Sequence, residues 1–279
     1  MHIWLGNRDH GSLVDPSHAA VSVLDHGYTV GDGVFETLKV TAAGPFALTR
    51  HLRRLAASAR ALGLPEPHAD VVREAVDCVL AAGVSTVGHM GRLRVTYTAG
   101  AAPLGSERGA VSPTLVVMLA PAAPWPDTSS VVTVPWSRNE RSALMGVKST
   151  SYAENVIALH YAHERGASEA VFANTRGELC EGTGSNVFVV LGGEVLTPPL
   201  TSGCLGGITR ELVLEFLGGA EADLGIDVLQ HADEVFITSS TRDVHPVTRA
   251  DDRHWERPGP VATRLRAAFA ELAASRLDP

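Results

Sequence analysis

A proline-rich break near the middle of the chain is the feature that most constrains its fold. Residues 120–127 read Ala-Pro-Ala-Ala-Pro-Trp-Pro-Asp and lack the periodicity of a helix or a strand. A short, stiff stretch of this kind is typical of a connector between domains, and 279 residues are enough for two domains. We therefore predict a small N-terminal domain over residues 1–119, a connector over residues 120–129 and a larger domain over residues 130–279.

Composition excludes several classes of protein. The chain is 45% hydrophobic and 19% charged, with a formal charge of −8 and no basic run, which argues against nucleic acid as a partner. No apolar run approaches the roughly 20 residues that span a bilayer, and the first residues lack a signal-peptide pattern, so we expect a cytoplasmic protein without a membrane partner. Three cysteines and scattered histidines fit neither a disulfide framework nor a zinc site, and we predict no metal.

Periodicity predicts alternating strands and helices, and hence an α/β fold. In the first part we expect a hairpin within residues 1–25, strands at 34–40, 91–98 and 114–119, and helices at 48–64 and 69–82. In the second part we expect strands near 131–135, 169–174, 186–191 and 233–238, and helices near 152–166, 208–217 and 260–276.

Lys148 stands at the head of a helix-like run with few other charges. Val156, Ile157 and Leu159 continue an apolar face, so the lysine is expected where a strand or loop meets a buried helix. An amine in apolar surroundings loses solvation of its charged form, which lowers its pKa and makes it a nucleophile suited to a Schiff base. Taken alone, however, a lysine is more often a solvated surface charge.

Two further patterns leave two interpretations open. Strict alternation places Arg92 and Arg94 on one strand face, which is either exposed to solvent or lines an anion site. Gly31 and Gly33 flank Asp32 in what is either a hairpin turn or a loop of a site, and no phosphate-loop motif is present.

Six segments occur in an order that resembles the class IV pyridoxal-phosphate (PLP) aminotransferase family. This family comprises branched-chain aminotransferases, D-amino-acid transaminases, (R)-amine transaminases and 4-amino-4-deoxychorismate lyases. The segments are Gly31-Asp-Gly-Val-Phe35-Glu36, His51-Leu-Arg-Arg54-Leu55, Gly146-Val-Lys148-Ser-Thr-Ser-Tyr152, the stretch 174–188 around Glu181, and the pair Leu205-Gly-Gly207-Ile208-Thr209-Arg210 and 233–247. The resemblance extends from about residue 5 to residue 250.

The resemblance implies a two-domain fold type IV enzyme, with a small α/β domain and a larger domain that has a β-barrel-like core. It implies that Lys148 forms a Schiff base with PLP and acts as general base and acid, and that Glu181 faces the pyridine nitrogen. It further implies that Tyr152 bonds the phenolic oxygen of PLP, that Phe35, Arg92 and Arg94 bind substrate, and that the phosphate is held by Arg54, Ile208, Thr209, Ser240 and Thr241. A phosphate near −2 charge needs such an arginine, hydroxyl groups and a helix N-terminus.

The expected reaction moves an amino group from a D-amino acid or (R)-amine to a 2-oxo acid, in a homodimer. Phe35-Glu36 favours a transaminase over a lyase, but Ala99 stands where D-amino-acid transaminases usually carry an arginine for the substrate carboxylate. A 4-amino-4-deoxychorismate lyase, which releases pyruvate and 4-aminobenzoate, and a branched-chain L-amino-acid aminotransferase therefore remain alternatives. A cofactor-binding protein without catalysis is disfavoured by the presence of Lys148 and Glu181, and a hydrolase by the lack of a G-x-S-x-G motif.

Overall fold

A computed structural model describes all 279 residues, which form two compact units. The first unit comprises Met1–Pro124, Val147–Tyr152 and Asp278, and the second comprises Trp125–Gly146, Ala153–Leu277 and Pro279. The segment that carries Lys148 thus belongs to the first unit, although it follows the proline-rich break in the sequence. None of the helices combines the length and the apolar composition needed to cross a membrane.

The first unit is an antiparallel six-stranded sheet, in the order β2-β1-β6-β5-β3-β4, with two long helices packed on it. Its strands are β1 (His2–Asn7), β2 (Gly11–Val14), β3 (Gly33–Thr41), β4 (Gly44–Pro45), β5 (Gly91–Thr98) and β6 (Thr114–Pro121). Its helices are α1 (His26–Thr29), α2 (Leu48–Ala61) and α3 (Ala69–Gly83), followed by a 3₁₀ turn at Val84–Thr86. The predicted hairpin, the three longer strands and both long helices are confirmed.

The core of the first unit follows from strand alternation. Leu93, Val95 and Tyr97 of β5 are fully buried and pack under α2 and α3 with the apolar faces of β3 and β6. The opposite face of β5 carries the arginines, as the period of two predicts. The side chains on this second face of β5 lie outside the core and are available to form a site.

The second unit is a mixed nine-stranded sheet whose main path runs β12-β11-β10-β13-β14-β7-β8-β9, and both sheets of the protein are curled. Its strands are β7 (Ser129–Arg138), β8 (Glu169–Asn174), β9 (Leu179–Gly182), β10 (Asn186–Leu191), β11 (Glu194–Thr197), β12 (Ala220–Glu221), β13 (Glu234–Ser239), β14 (Asp243–Ala250) and β15 (Arg253–His254). Its helices are α4 (Ala153–Glu164), α5 (Ile208–Leu212), α6 (Val228–His231) and α7 (Pro260–Ser275), with a π-helical turn at Val213–Leu217 and a 3₁₀ turn at Leu200–Ser202. All the strands and helices predicted for this part are confirmed.

The prediction of a buried apolar face on α4 was wrong. Val156 and Ile157 are 64% and 55% exposed, whereas Asn155, Ala158 and Ala162 are buried. Small side chains allow α4 to lie close to the sheet, and Asn155 is satisfied there because its Nδ2 donates to the Thr183 carbonyl. Lys148 also lies outside this helix, which begins only at Ala153.

Candidate active site

Lys148 lies beside the start of β3 in the first unit. The Phe35 N–H donates to the Lys148 carbonyl at 2.9 Å, so the lysine backbone runs along the end of the strand. The Lys148 Nζ is 4.5 Å from the centroid of the Phe35 ring and 5.8 Å from that of the Tyr152 ring. Because the faces of aromatic rings attract cations, the two rings define where the amine rests.

The Phe35 ring also carries a second cation. The Arg94 guanidinium lies 3.4 Å from the ring centroid, and its Nε donates to Thr96 Oγ1 at 3.3 Å. Burial lowers the pKa of Arg94 to about 10, with the nearby Tyr152 and Glu36 acting in the opposite direction. Arg94 therefore remains charged at neutral pH and contacts the same ring as the amine of Lys148.

Arg92 and Arg94 differ in burial, although the sequence pattern treats them alike. Arg92 and Arg94 share one face of β5, but Arg92 is exposed whereas Arg94 is partly buried. Exposure along this face falls steadily toward Thr98, which is buried. Burial therefore distinguishes Arg94 from Arg92 on this face.

Arg54 takes part in a buried cluster with Glu36 and His51. Its Nε and Nη2 donate to the two carboxylate oxygens of Glu36 at 2.8 and 2.7 Å, and His51 Nδ1 lies 2.6 Å from Glu36 Oε2. Burial alone would raise the pKa of Glu36, but the charge and hydrogen bonds of Arg54, helped by His51, lower it to about 2. Burial lowers the pKa of His51, so the neutral imidazole donates its Nδ1–H to the ionised Glu36.

This cluster fixes the orientation of Arg54, the arginine that is predicted to bind the phosphate. A guanidinium has five N–H groups in one plane, and Glu36 occupies the Nε/Nη2 edge of Arg54. An anion bound by Arg54 would therefore meet the N–H groups that point away from Glu36. Glu36, buried on β3, and His51, buried on α2, hold this edge in place.

Glu181 of the second unit follows Cys180 in β9, and its carboxylate makes one hydrogen bond and one ion pair. Its Oε2 accepts the Leu205 N–H at 2.8 Å, and its Oε1 lies 3.2 Å from Arg138 Nε. The Arg138 guanidinium is fixed in turn over the Phe172 ring, at 4.2 Å from the centroid. Both contacts orient the carboxylate, which suits it to pair with a cationic group.

The four other residues predicted to hold a phosphate occupy two places in the second unit. Ile208 and Thr209 are buried in the first turn of α5, and Ser240 and Thr241 lie in the turn between β13 and β14. A buried ion pair between Arg242 and Glu169 supports that turn. All four thus lie on segments that packing has fixed.

Two polar residues at these places were missed by the sequence reasoning. Arg138 ends β7 and reaches Glu181, and Ser58 is buried in α2, where its Oγ accepts the Lys148 N–H at 3.3 Å. Ser58 lies seven residues after His51, so its position on the buried helix face was a usable signal. Arg138 had no such signal. No group of three or more His, Cys, Asp or Glu side chains is arranged to hold a metal ion.

Comparison with known proteins identifies the family. The model of the family described as "Amino-transferase class IV" matches residues 33–250. The chain is 33% identical to a putative branched-chain-amino-acid aminotransferase of Methanocaldococcus jannaschii, over 94% of each chain. It is 32% identical to a D-alanine aminotransferase of Bacillus licheniformis, over 93% of this chain and 94% of that one.

The fold agrees with the sequence matches. A fold IV-transaminase from Curtobacterium pusillum superimposes with a TM-score of 0.87 and 32% identity, over 99% of both chains. The matched region includes every residue that the sequence predicted for the site. The chain therefore belongs to the class IV aminotransferases, which are PLP-dependent transferases with the type IV fold.

Proposed function

We propose that this aminotransferase moves an amino group from a D-amino acid or (R)-amine to a 2-oxo acid, with Lys148 as the catalytic amine. One observation carries the proposal: Lys148 and Arg94 both lie over the Phe35 ring, at 4.5 and 3.4 Å from its centroid. An amine that exchanges with a donor and a cation suited to a carboxylate are thus only one side chain apart. This pairing suits a substrate with an amino and a carboxylate group.

The chemistry of the donor groups fits PLP. When bound, PLP supplies an aldehyde that takes up the amino group and a protonated ring that withdraws electrons from the substrate carbon. The Lys148 amine matches the aldehyde, and the Glu181 carboxylate, held by Leu205 and Arg138, matches the protonated ring nitrogen. The remaining cofactor contacts in the proposal are Tyr152 at the phenolic oxygen, and Arg54, Ile208, Thr209, Ser240 and Thr241 at the phosphate.

Each of these residues has a defined task. Lys148 would hold the cofactor through its aldehyde, and its Nζ, once free, would serve as general base and acid for the proton of the substrate carbon. Glu181 would pair with the protonated ring nitrogen. Arg94 binds the substrate carboxylate, and Phe35 positions Arg94 and the Lys148 amine through its ring.

Relatives of this chain are named for different amino donors. The two curated relatives are 33% and 32% identical to this chain, and one is named for branched-chain amino acids and the other for D-alanine. A branched-chain L-amino-acid aminotransferase is therefore the second candidate. A 4-amino-4-deoxychorismate lyase is the third candidate. A half-reaction with a donor of each class distinguishes the three.

We further propose a homodimer in the cytoplasm. Trp136, Val156 and Ile157 of the second unit are 43%, 64% and 55% exposed, although they are large and apolar. Burial of such side chains against a second copy would stabilise a dimer. Sedimentation equilibrium tests this: a monomer at micromolar concentration would contradict it.

A single-turnover half-reaction tests the activity. The PLP-loaded protein is mixed, without acceptor, with D-alanine, (R)-1-phenylethylamine, L-leucine or 4-amino-4-deoxychorismate, and the visible absorbance of the cofactor is followed. Bleaching by D-alanine or the (R)-amine, reversed by a 2-oxo acid, is the expected result. Bleaching by L-leucine alone identifies the branched-chain activity, and release of pyruvate and 4-aminobenzoate without bleaching by the others identifies the lyase.

The chain offers a matched control for the catalytic amine, because Lys39 and Lys148 are its only two lysines. We expect Lys148→Ala to lower turnover by several orders of magnitude and to abolish the cofactor linkage that borohydride traps. Lys39→Arg, at a buried position 5.2 Å from the Phe46 ring, should keep both. Borohydride labelling at Lys39 or at the N-terminus, with Lys148 unlabelled, would refute the assignment.

A further inference from the structure

The segment around Lys148 is attached to β3 by backbone hydrogen bonds on both sides of the lysine. The Phe35 N–H donates to the Lys148 carbonyl at 2.9 Å, and the Thr150 N–H donates to the Gly33 carbonyl at 2.8 Å. Between them, Val34 and Ser149 form an antiparallel bridge. Lys148 is thus carried by a short extension of the first sheet.

A side-chain hydrogen bond secures this extension. Thr150 Oγ1 donates to the Gly31 carbonyl at 2.8 Å from a partly buried position. The exposed Ser151 places its hydroxyl 3.1 Å from the same carbonyl. A threonine side chain has restricted rotation about χ1, so its bond fixes the backbone two residues beyond Lys148.

Gly31 and Gly33 leave room for the side chains of Ser151 and Thr150. A Cβ at Gly31, whose φ is +71°, would lie 2.6 Å from Ser151 Oγ. A Cβ at Gly33 would lie 3.0 Å from Thr150 Oγ1 and 2.9 Å from the Thr98 methyl carbon. The segment that the sequence described as either a turn or a site loop is therefore the docking edge for the lysine segment.

From this geometry we propose that Thr150 is a positioning residue for Lys148, an inference that rests on the proposed function. The lysine side chain has four flexible carbons, so the direction of its amine depends on a fixed backbone at its base. Two backbone bonds and the Thr150–Gly31 bond provide that base. Because a displacement of about 1 Å can slow a reaction about 100-fold, loss of the Thr150 hydroxyl should affect bond formation at Lys148.

The test compares two forms of the cofactor. PLP bonds to Lys148, whereas pyridoxamine phosphate carries an amine in place of the aldehyde and cannot. Thr150→Val keeps the shape of the side chain and removes its hydroxyl. We expect the linkage between Lys148 and PLP, followed by absorbance and borohydride trapping, to form at least about tenfold more slowly, with the affinity for pyridoxamine phosphate within about twofold of the wild type.

Three variants complete the experiment. Thr150→Ser restores the hydroxyl and should restore the rate. Gly31→Ala places a Cβ against Ser151 and strains the backbone, at φ +71°, that carries the carbonyl bonded by Thr150, so it should reproduce the selective loss. Ser151→Ala, which removes only the exposed hydroxyl, should leave the rate within about twofold of the wild type, because an exposed hydrogen bond contributes little net stability.

Each of the other outcomes has a clear meaning. Equal losses for PLP and pyridoxamine phosphate in Thr150→Val would show a merely structural role and overturn the inference, as would unchanged rates. Failure of the wild-type protein to bind either compound would instead overturn the proposed function, and the inference with it. The wild-type measurement therefore distinguishes the two failures.

Discussion

Replacement of Arg94 by glutamine should reveal whether it binds the substrate carboxylate. The guanidinium is partly buried and fixed over the Phe35 ring at 3.4 Å, so it is oriented before substrate arrives. A hydrogen bond to a charged group contributes about 1.5–3 kcal/mol, and about 1.4 kcal/mol corresponds to a tenfold change. We therefore expect Arg94→Gln to lower kcat/KM for a carboxylate-bearing donor by about 10- to 150-fold.

A pair of donors isolates the contribution of the carboxylate. D-alanine and D-alaninamide differ in charge but little in size, and L-leucine and its amide replace them if the half-reaction selects the L-series. The loss in Arg94→Gln should appear with the acid and be several-fold smaller with the amide. Steady-state kinetics with both donors measures this difference.

Arg92→Gln is the matched control. Arg92 lies two residues away on the same face of β5, but it is exposed, so its loss should change kcat/KM less than about threefold. Equal losses with acid and amide would show that Arg94 only supports the Phe35 ring. A larger effect at Arg92 than at Arg94 would refute the argument from burial altogether.

Two further predictions concern stability. The pKa of Glu36 falls from an ordinary 4.5 to about 2 and that of His51 is also lowered, so the unfolded chain binds more protons than the folded protein below about pH 6.5. The free energy of unfolding is therefore larger at neutral pH than in acid. Glu36 alone should account for about 2 kcal/mol of its decrease by pH 3. Urea titrations that give the same free energy of unfolding at pH 5 and pH 3 would contradict this. Glu234 accepts the Val261 and Ala262 N–H groups at 3.0 and 2.8 Å at the start of α7, so Glu234→Gln should cost about 1–3 kcal/mol. The exposed Glu271→Gln in the same helix is the control, and equal melting temperatures for the two variants would refute the capping role.

Strands and helices with a clear period could be predicted from the sequence. The alternation of Gly91–Thr98 determined both the strand and its buried face, because the side chains of a strand point to opposite sides. The short strands Leu179–Gly182 and Glu194–Thr197 were missed, since four residues give too few repeats to establish a period.

The face of α4 shows where hydrophobicity misleads. Val156 and Ile157 were expected inside, yet the buried residues are smaller or polar: Asn155, Ala158 and Ala162. A close approach of helix and sheet favours small side chains, and a buried amide is stable when its hydrogen bonds are made, as with the Thr183 carbonyl. Neither condition can be read from the helix itself.

The position of Lys148 shows the same limit at the site. The residues before and after the Val147–Tyr152 segment lie in the second unit. The hydrogen bonds of the segment, however, are to residues more than 80 positions earlier: Lys148 bonds to Phe35 and Ser58, and Thr150 bonds to Gly33. Hydrophobic periodicity describes only contacts within one element, so it cannot show which strand edge receives a six-residue segment. The resemblance selected Lys148 as the reactive residue, but only the structure shows why Gly31 and Gly33 stand where they do: they leave space for the side chains of Ser151 and Thr150, which follow the lysine. In this chain the glycine pair therefore forms the edge on which the lysine segment docks, and Gly31→Ala tests that interpretation directly.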